Sequence, residues 1–348
     1  TIRDVDVSGK RVFVRVDFNV PFNESGQITD DTRIRYALPT IRKLIEQKGR
    51  VILASHLGRP KGKPVDDMRL KPVADHLAEL LGSTVIYADD CVGPKAEEAV
   101  SALRDGDVLL LENLRFHAEE EKNDPEFAGQ LASLADVYVN DAFGTAHRAH
   151  ASTEGITHHM PAVAGLLMEK ELQSLGELLA SPGRPFGCVF GGAKVSDKVG
   201  MIKNMLQRVD VVLVGGGLAA TFLKARGLEI GDSLLEADML DEARAIMAES
   251  EKRGVPVVLP LDVLVSKEVK AGARMRVVQV TSVPAGWSIV DIGPRTIEHF
   301  FGRMEACKTV MWHGPMGVYE VPQFSLGTRC LINYLASTDA KSVIGGGS

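Results

Sequence analysis

Hydrophobic positions in this chain fall into short β-branched runs, separated by longer stretches in which apolar residues recur every three to four places. The first half carries RVFVRV (11–16), VILAS (51–55), a weaker TVIYA (84–88), DVLLL (107–111) and DVYVN (136–140). The second half carries FGCVF (186–190), DVVLV (210–214), PVVLP (256–260), KTVMW (308–312) and KSVIG (341–345). Such alternation predicts βα units feeding parallel sheets. A chain of 348 residues is too long for one typical core. The expected fold is therefore α/β, with two doubly wound, Rossmann-like parallel-sheet domains and a cleft between them. The amphipathic stretch MEKELQSLGELLA (168–180) and the breaker SPGRP (181–185) mark the boundary. The division expected is 1–167, a connecting helix 168–180, and 181–348.

Composition narrows the function classes. A net charge of −6 with both signs interspersed recommends neither a nucleic-acid groove nor an anionic membrane surface. The four cysteines, Cys91, Cys188, Cys307 and Cys330, are far apart and form no C-x-x-C, so they read as reduced thiols without a metal cluster. The start, TIRDVDVSGKR, is charged from its third residue, and no run of about 18 apolar residues follows anywhere. A soluble cytoplasmic protein is expected.

Ligands of open α/β sheets sit beyond the carboxyl ends of the strands. In the first half those positions carry Asp17, Asn19, His56, Arg59, Arg115, His147, Arg148 and His150, with Arg33 and Arg35 after a long first loop. Guanidinium forks at one rim suit a small, multiply charged anion. Any one of these arginines is equally well read as a surface residue paired to an acid such as Asp30, Asp31 or Glu112. HRAH (147–150) lacks the partners of a metal motif. In the second half the strand ends carry glycines instead: GGAK after Phe190, GGGLAA after Val214, GPMG after His313 and GGGS after Ile344. Glycine turns allow main-chain N–H groups to close on an anion, although many are only tight turns. GGGLAA fits a dinucleotide fingerprint formally but lacks the following acidic strand, and GRPKGKP (58–64) fails the Walker spacing. With a helix starting near Ala193, Lys194 and Lys198 share one face, a repulsive placement that a bound polyphosphate would reverse. Two different anions, one per half, suggest a bisubstrate transfer enzyme.

RVFVRVDFNVP, ITDDTRIR, SHLGRPKG, LLLENLRF, NDAFGTAHRAHAS, GGAKVSDK, VGGGLA and GPMGVYE occur in this order, and the whole chain resembles phosphoglycerate kinases of the bacterial type. The resemblance implies reversible transfer of the ATP γ-phosphoryl group to the carboxylate of 3-phosphoglycerate, giving 1,3-bisphosphoglycerate and ADP. It also implies Mg²⁺ carried on the nucleotide phosphates, hinge closure and a monomer. It assigns acid binding to Asp17, Asn19, Arg33, His56, Arg59, Arg115 and Arg148. It places Arg33 and Lys194 at the phosphoryl group in transfer. The nucleotide set is Gly192, Lys194, Lys198, Gly215, Gly216, Gly217, His313, Glu320, Gly346 and Gly347. The chain departs from the family pattern at His313, where asparagine is usual. It departs again at its end, where Ser348 stands at the position of a magnesium-facing aspartate and a further segment is expected. A catalytically weak fragment that still binds the acid is the alternative expectation.

Overall fold

The computed structural model describes residues 1–345; Gly346, Gly347 and Ser348 lie outside the described residues. The chain divides between Leu175 and Gly176 into two compact units. Unit 1 holds β1 (Arg11–Arg15), α1 (Thr32–Glu46), β2 (Arg50–Ala54), α2 (Lys71–Leu81), β3 (Val85–Tyr87), α3 (Pro94–Ser101), β4 (Val108–Leu110), α4 (Ala118–Glu121), α5 (Pro125–Ser133), β5 (Val137–Asn140) and β6 (Ala162–Ala164). Then α6 (Leu166–Ala180) runs across the division, and unit 2 continues with β7 (Phe186–Phe190), α7 (Val199–Met205), β8 (Val211–Val214), α8 (Leu218–Ala225), α9 (Leu240–Arg253) and β9 (Val257–Val258). It ends with β10 (Asp262–Ser266), β11 (Met275–Gln279), β12 (Ser288–Ile292), α10 (Pro294–Met304), β13 (Thr309–His313), α11 (Leu326–Ala336) and β14 (Lys341–Gly345).

The first sheet has the order β3-β4-β2-β1-β5-β6, all parallel. Alternate residues of its strands enter opposite layers. Val12, Val14, Val51 and Leu53 pack with Ile34, Ile41, Leu44 and Leu77 of α1 and α2, while Phe13, Ile52, Leu109 and Tyr138 pack with Phe127 and Leu131 of α5. Burying each such side chain contributes about 1.5–3 kcal/mol. In α1, Ile34, Ala37, Leu38, Ile41 and Leu44 recur at helical spacing and are buried. Local signals set several helix ends: the Asp124 carboxylate accepts from the N–H groups of Glu126 and Phe127, each at 3.0 Å, with Pro125 opening α5.

The second parallel sheet has the order β14-β13-β7-β8-β9. In both sheets the chain order reverses beside the first strand, between β1 and β5 and between β7 and β13, and those switch points are where ligands of such sheets bind. Unit 2 differs from a purely parallel expectation. Residues 262–292 form an antiparallel three-stranded sheet, β11-β10-β12, whose edge strand β11 is largely exposed. The short β6, AVA, also escapes a reading based on β-branched runs.

Candidate active site

At the carboxyl rim of the first sheet, β1 places Arg15 and Asp17, β2 leads into Ser55 and His56, and β4 leads into Glu112, Asn113 and Arg115. The loop 55–59 is clamped from three sides. Phe18 N–H donates to Ser55 Oγ at 2.9 Å, Gly58 N–H to Asn19 Oδ1 at 2.8 Å, and Arg115 Nη1 to the Gly58 carbonyl at 2.9 Å. Asn113 completes the clamp, accepting from Leu57 N–H at 3.2 Å and donating to the Leu57 carbonyl at 2.8 Å. Gly58 has φ +63°, and a Cβ there would meet Met68 Sδ at 2.9 Å, so this corner needs glycine. Asn19 and Arg115 thus already shape the His56 loop.

His56 is the electrostatic centre of this rim. Its pKa is pushed down to about 2, first by burial and then by the positive charges of Arg15, Arg115, Arg148 and Arg33. It is neutral at any physiological pH. Arg15, 1% exposed, brings Nη2 to 3.2 Å from His56 Nδ1. Because guanidinium only donates, Nδ1 accepts and the ring hydrogen resides on Nε2. Arg15 is itself held by Ser152 Oγ, 2.8 Å from its Nε, and that hydroxyl donates to Glu120 Oε1 at 2.6 Å. Ser152 N–H donates to the other Glu120 oxygen at 2.9 Å, and Glu120 is fully buried. One buried carboxylate therefore balances one buried guanidinium through a serine.

Arg33 lies in the first turn of α1, with Nη1 2.5 Å from Asp17 Oδ2, and its side chain is 47% exposed. Arg115 is 5% exposed and ion-paired with Glu121 at 3.2 Å. Arg59 is exposed and Arg148 half-buried, and neither has a carboxylate partner among the described residues. Arg35, by contrast, pairs with Asp31 at 2.8 Å, as a surface residue paired to an acid, and Glu112 pairs with Arg69 at 3.0 Å. The structure brings Asp17, Arg33, His56, Arg115 and Arg148 into one electrostatic neighbourhood. Arg15, Ser152 and Glu120 were missed by the sequence reading. The available signal was a charge inside RVFVRV, where a central parallel strand is normally apolar on both faces.

In unit 2 the three glycine turns interlock. Gly191 N–H donates to the His313 carbonyl at 2.9 Å, Gly192 N–H to Pro315 at 2.7 Å, Gly215 N–H to Phe190 at 2.8 Å and Gly216 N–H to Met316 at 3.0 Å. These four amides are committed to neighbouring loops, which corrects the picture of free main-chain donors cradling an anion. The glycines are required for close approach. A Cβ on Gly216 would meet Gly192 N at 2.6 Å and Pro315 O at 2.7 Å, one on Gly217 would meet Ala193 O at 3.1 Å, and one on Gly314 would meet Gly191 O at 2.6 Å.

Lys194 and Lys198 also differ from expectation, since α7 begins at Val199 and residues 193–198 precede it as an irregular, non-helical segment. Glu236 holds that segment, accepting from Val195 N–H, from Ser196 N–H at 3.2 Å and from Ser196 Oγ at 2.5 Å. Lys194 is left exposed at the turn. Lys198 is 8% exposed, and its ammonium has no hydrogen-bond or ion-pair partner among the described residues. It lies beside Gly192, whose added Cβ would be 3.1 Å from Nζ. His313 is half-buried, its pKa lowered by burial and then by Lys198, and its Nδ1 is buried without a partner. Glu320 is exposed in the loop between β13 and α11. A buried ammonium with no partner among the described residues, beside a glycine-tight floor, has the chemistry to take up an anionic counter-charge.

Comparison with known proteins places the chain in a family. A sequence model of the family "Phosphoglycerate kinase" matches residues 2–348. The phosphoglycerate kinases of Pelotomaculum thermopropionicum and Moorella thermoacetica are 58% and 55% identical, over the whole of this chain and 88% of theirs. Among solved structures, the phosphoglycerate kinase of Coxiella burnetii is 41% identical with a TM-score of 0.85, covering 99% of this chain and 87% of that one. That of Pyrococcus horikoshii is 34% identical with a TM-score of 0.87, covering 99% and 88%. The chain belongs to the phosphoglycerate kinase family.

Proposed function

We propose that, within the family's ATP-dependent phosphoryl transfer, this chain binds 3-phosphoglycerate at the rim of the first sheet and ATP or ADP at the glycine turns of the second. The observation that carries the acid site is His56, a buried neutral imidazole on which four arginines act. Its Nε2–H donates to an anionic oxygen of the acid, while Arg59 and Arg148, without a carboxylate partner among the described residues, and the exposed face of Arg33 supply charge. Lys198 receives nucleotide phosphate, with Gly192, Gly215, Gly216, Gly217, His313 and Glu320 around the nucleotide. Mg²⁺ enters as part of that substrate, on its phosphates. Gly346 and Gly347 remain assigned to this site by resemblance alone.

The acceptor carboxylate is ionised at neutral pH, so it attacks phosphorus without giving up a proton, and ADP leaves. What the protein supplies is alignment and charge, from Arg33 on the acid side and Lys194 on the nucleotide side. Attack requires reacting atoms about 3–3.5 Å apart, so the two half-sites close on each other about the α6 connector when both substrates are bound. Small-angle scattering should then report a smaller radius of gyration with acid plus a non-hydrolysable nucleotide; an unchanged curve sinks closure. No described helix is long and apolar enough to cross a membrane, and we assign the chain a cytoplasmic, monomeric role with small-molecule partners only. The roles are separated by kinetics: Arg33→Ala lowers kcat with little change in acid KM, whereas Arg59→Ala chiefly raises acid KM. The reverse ranking overturns the assignment.

A further inference from the structure

A second cluster of reactive side chains lies in unit 1, on residues to which the acid site gives no role. β3 and β4 are parallel neighbours, with Val85 opposite Val108 and Tyr87 opposite Leu110, so the chain leaves both at the same rim. Asp90 and Cys91 follow β3 within four residues, and His117 follows β4 after the single turn Leu114–Phe116. One carboxylate oxygen, one sulfur and one imidazole nitrogen from these residues all lie within 4.8 Å of one another.

The cluster is held together before any ligand arrives. Asp90 Oδ1 accepts from Cys91 N–H at 2.8 Å and lies 2.7 Å from His117 Nε2. The His117 ring stacks on Phe127, 5.2 Å between centroids and 28° between planes, which fixes its orientation. Cys91 is fully buried, and burial first, then the acids Asp90, Glu120 and Glu112, push its thiol pKa well up, so it is a thiol until a cation displaces its proton. Asp90 and His117 also line a cavity of about 600 Å³. The cations on its wall are already paired, Arg69 with Glu112 and Asp66, Lys71 with Asp75, and Lys95 with Asp89.

A hydrogen-bonded Asp–His pair beside a core cysteine needs neither three kinds of donor nor an opening. Sulfur, imidazole and carboxylate with one position open to solvent form the donor set that borderline-soft divalent cations prefer. We propose that Asp90, Cys91 and His117 bind one thiophilic divalent cation of the Zn²⁺ class, with water from the cavity completing four-coordination. Binding releases the Cys91 thiol proton to buffer, the hydrogen that His117 Nε2 shares with Asp90 is exchanged through solvent to Nδ1, and the metal takes the freed sulfur and Nε2 lone pairs; no oxidant is involved. Tetrahedral bonds of about 2.0–2.1 Å separate the oxygen and nitrogen by about 3.3 Å, so the 2.7 Å Asp90–His117 contact opens to admit the ion.

The probe is Co²⁺ added to the full chain, followed in the near ultraviolet and visible. The expected result is one equivalent of a species with a thiolate-to-cobalt charge-transfer band and four-coordinate d–d absorption, displaced by Zn²⁺. Cys91→Ser should remove the band, His117→Gln and Asp90→Asn should weaken affinity at least about tenfold, and Cys330→Ser should change nothing. His117 and Asp90 are half-exposed, so those two variants decide the matter if Cys91→Ser does not fold. A wild-type chain without the band, a band that survives Cys91→Ser, or affinity unaffected by His117→Gln and Asp90→Asn overturns the proposal.

Discussion

His56 offers the sharpest test of the electrostatics. Its ordinary pKa of 6.5 falls to about 2 in the fold. Below pH 6.5 the unfolded chain therefore takes up a proton at this residue that the folded chain refuses. Stability supplied by the neutral ring is complete above 6.5 and is lost as pH falls toward 2, at about 1.4 kcal/mol per pH unit. Between pH 7.5 and pH 5 the loss is about 2 kcal/mol. His56→Gln keeps an acceptor for Arg15 and lacks the titration, so its stability relative to wild type should rise by that amount over the same interval. Urea denaturation at several pH values, with the slope m checked for constancy, measures the difference. Imidazole nitrogen shifts provide an independent reading: no titration between pH 8 and 5, and hydrogen on Nε2. A midpoint near 6.5, hydrogen on Nδ1, or a variant curve parallel to wild type would refute the argument that burial, with four arginines, holds this ring neutral.

Asp141 and Asp291 titrate in the opposite sense. Burial raises each to about 6 from 3.8, against the N–H groups of Leu167 and Met168 that Asp141 caps and those of Ile292 and Gly327 that Asp291 accepts. Each ionised carboxylate costs stability, up to about 3 kcal/mol, fully above pH 6 and relieved as pH falls from 6 to 4. Asp141→Asn should flatten the pH dependence in that window, and a curve parallel to wild type would count against it. Lys198→Met should lower nucleotide affinity by about 2–5 kcal/mol while leaving the ligand-free chain as stable as wild type or more so. Calorimetric titration and urea unfolding separate the two effects; unchanged affinity with reduced stability reverses the reading of Lys198.

Much of this protein follows from local pattern. The runs RVFVRV, VILAS, DVLLL, DVYVN and FGCVF became central parallel strands because residues apolar on both faces have no other stable place. Since ligands gather beyond the strand ends, the same pattern singled out Arg33, His56, Arg115 and Lys198. Tertiary structure decided what those groups are. Arg15 meets His56 and Ser152, 41 and 137 residues away, and Ser152 meets Glu120, so the tautomer and charge of His56 depend on partners that no local window contains. Glu236, some forty residues downstream, holds Val195 and Ser196 in turns and keeps Lys194 out of a helix that local spacing favoured. The glycine turns look like anion cradles one at a time, yet packed together the amides of Gly191, Gly192, Gly215 and Gly216 bond to neighbouring loops, and the Lys198 ammonium lies buried beside them. Sequence periodicity reports which face a residue turns to the core. Hydrogen-bond partners and the fields of distant charges exist only once the sheets have brought separated segments together.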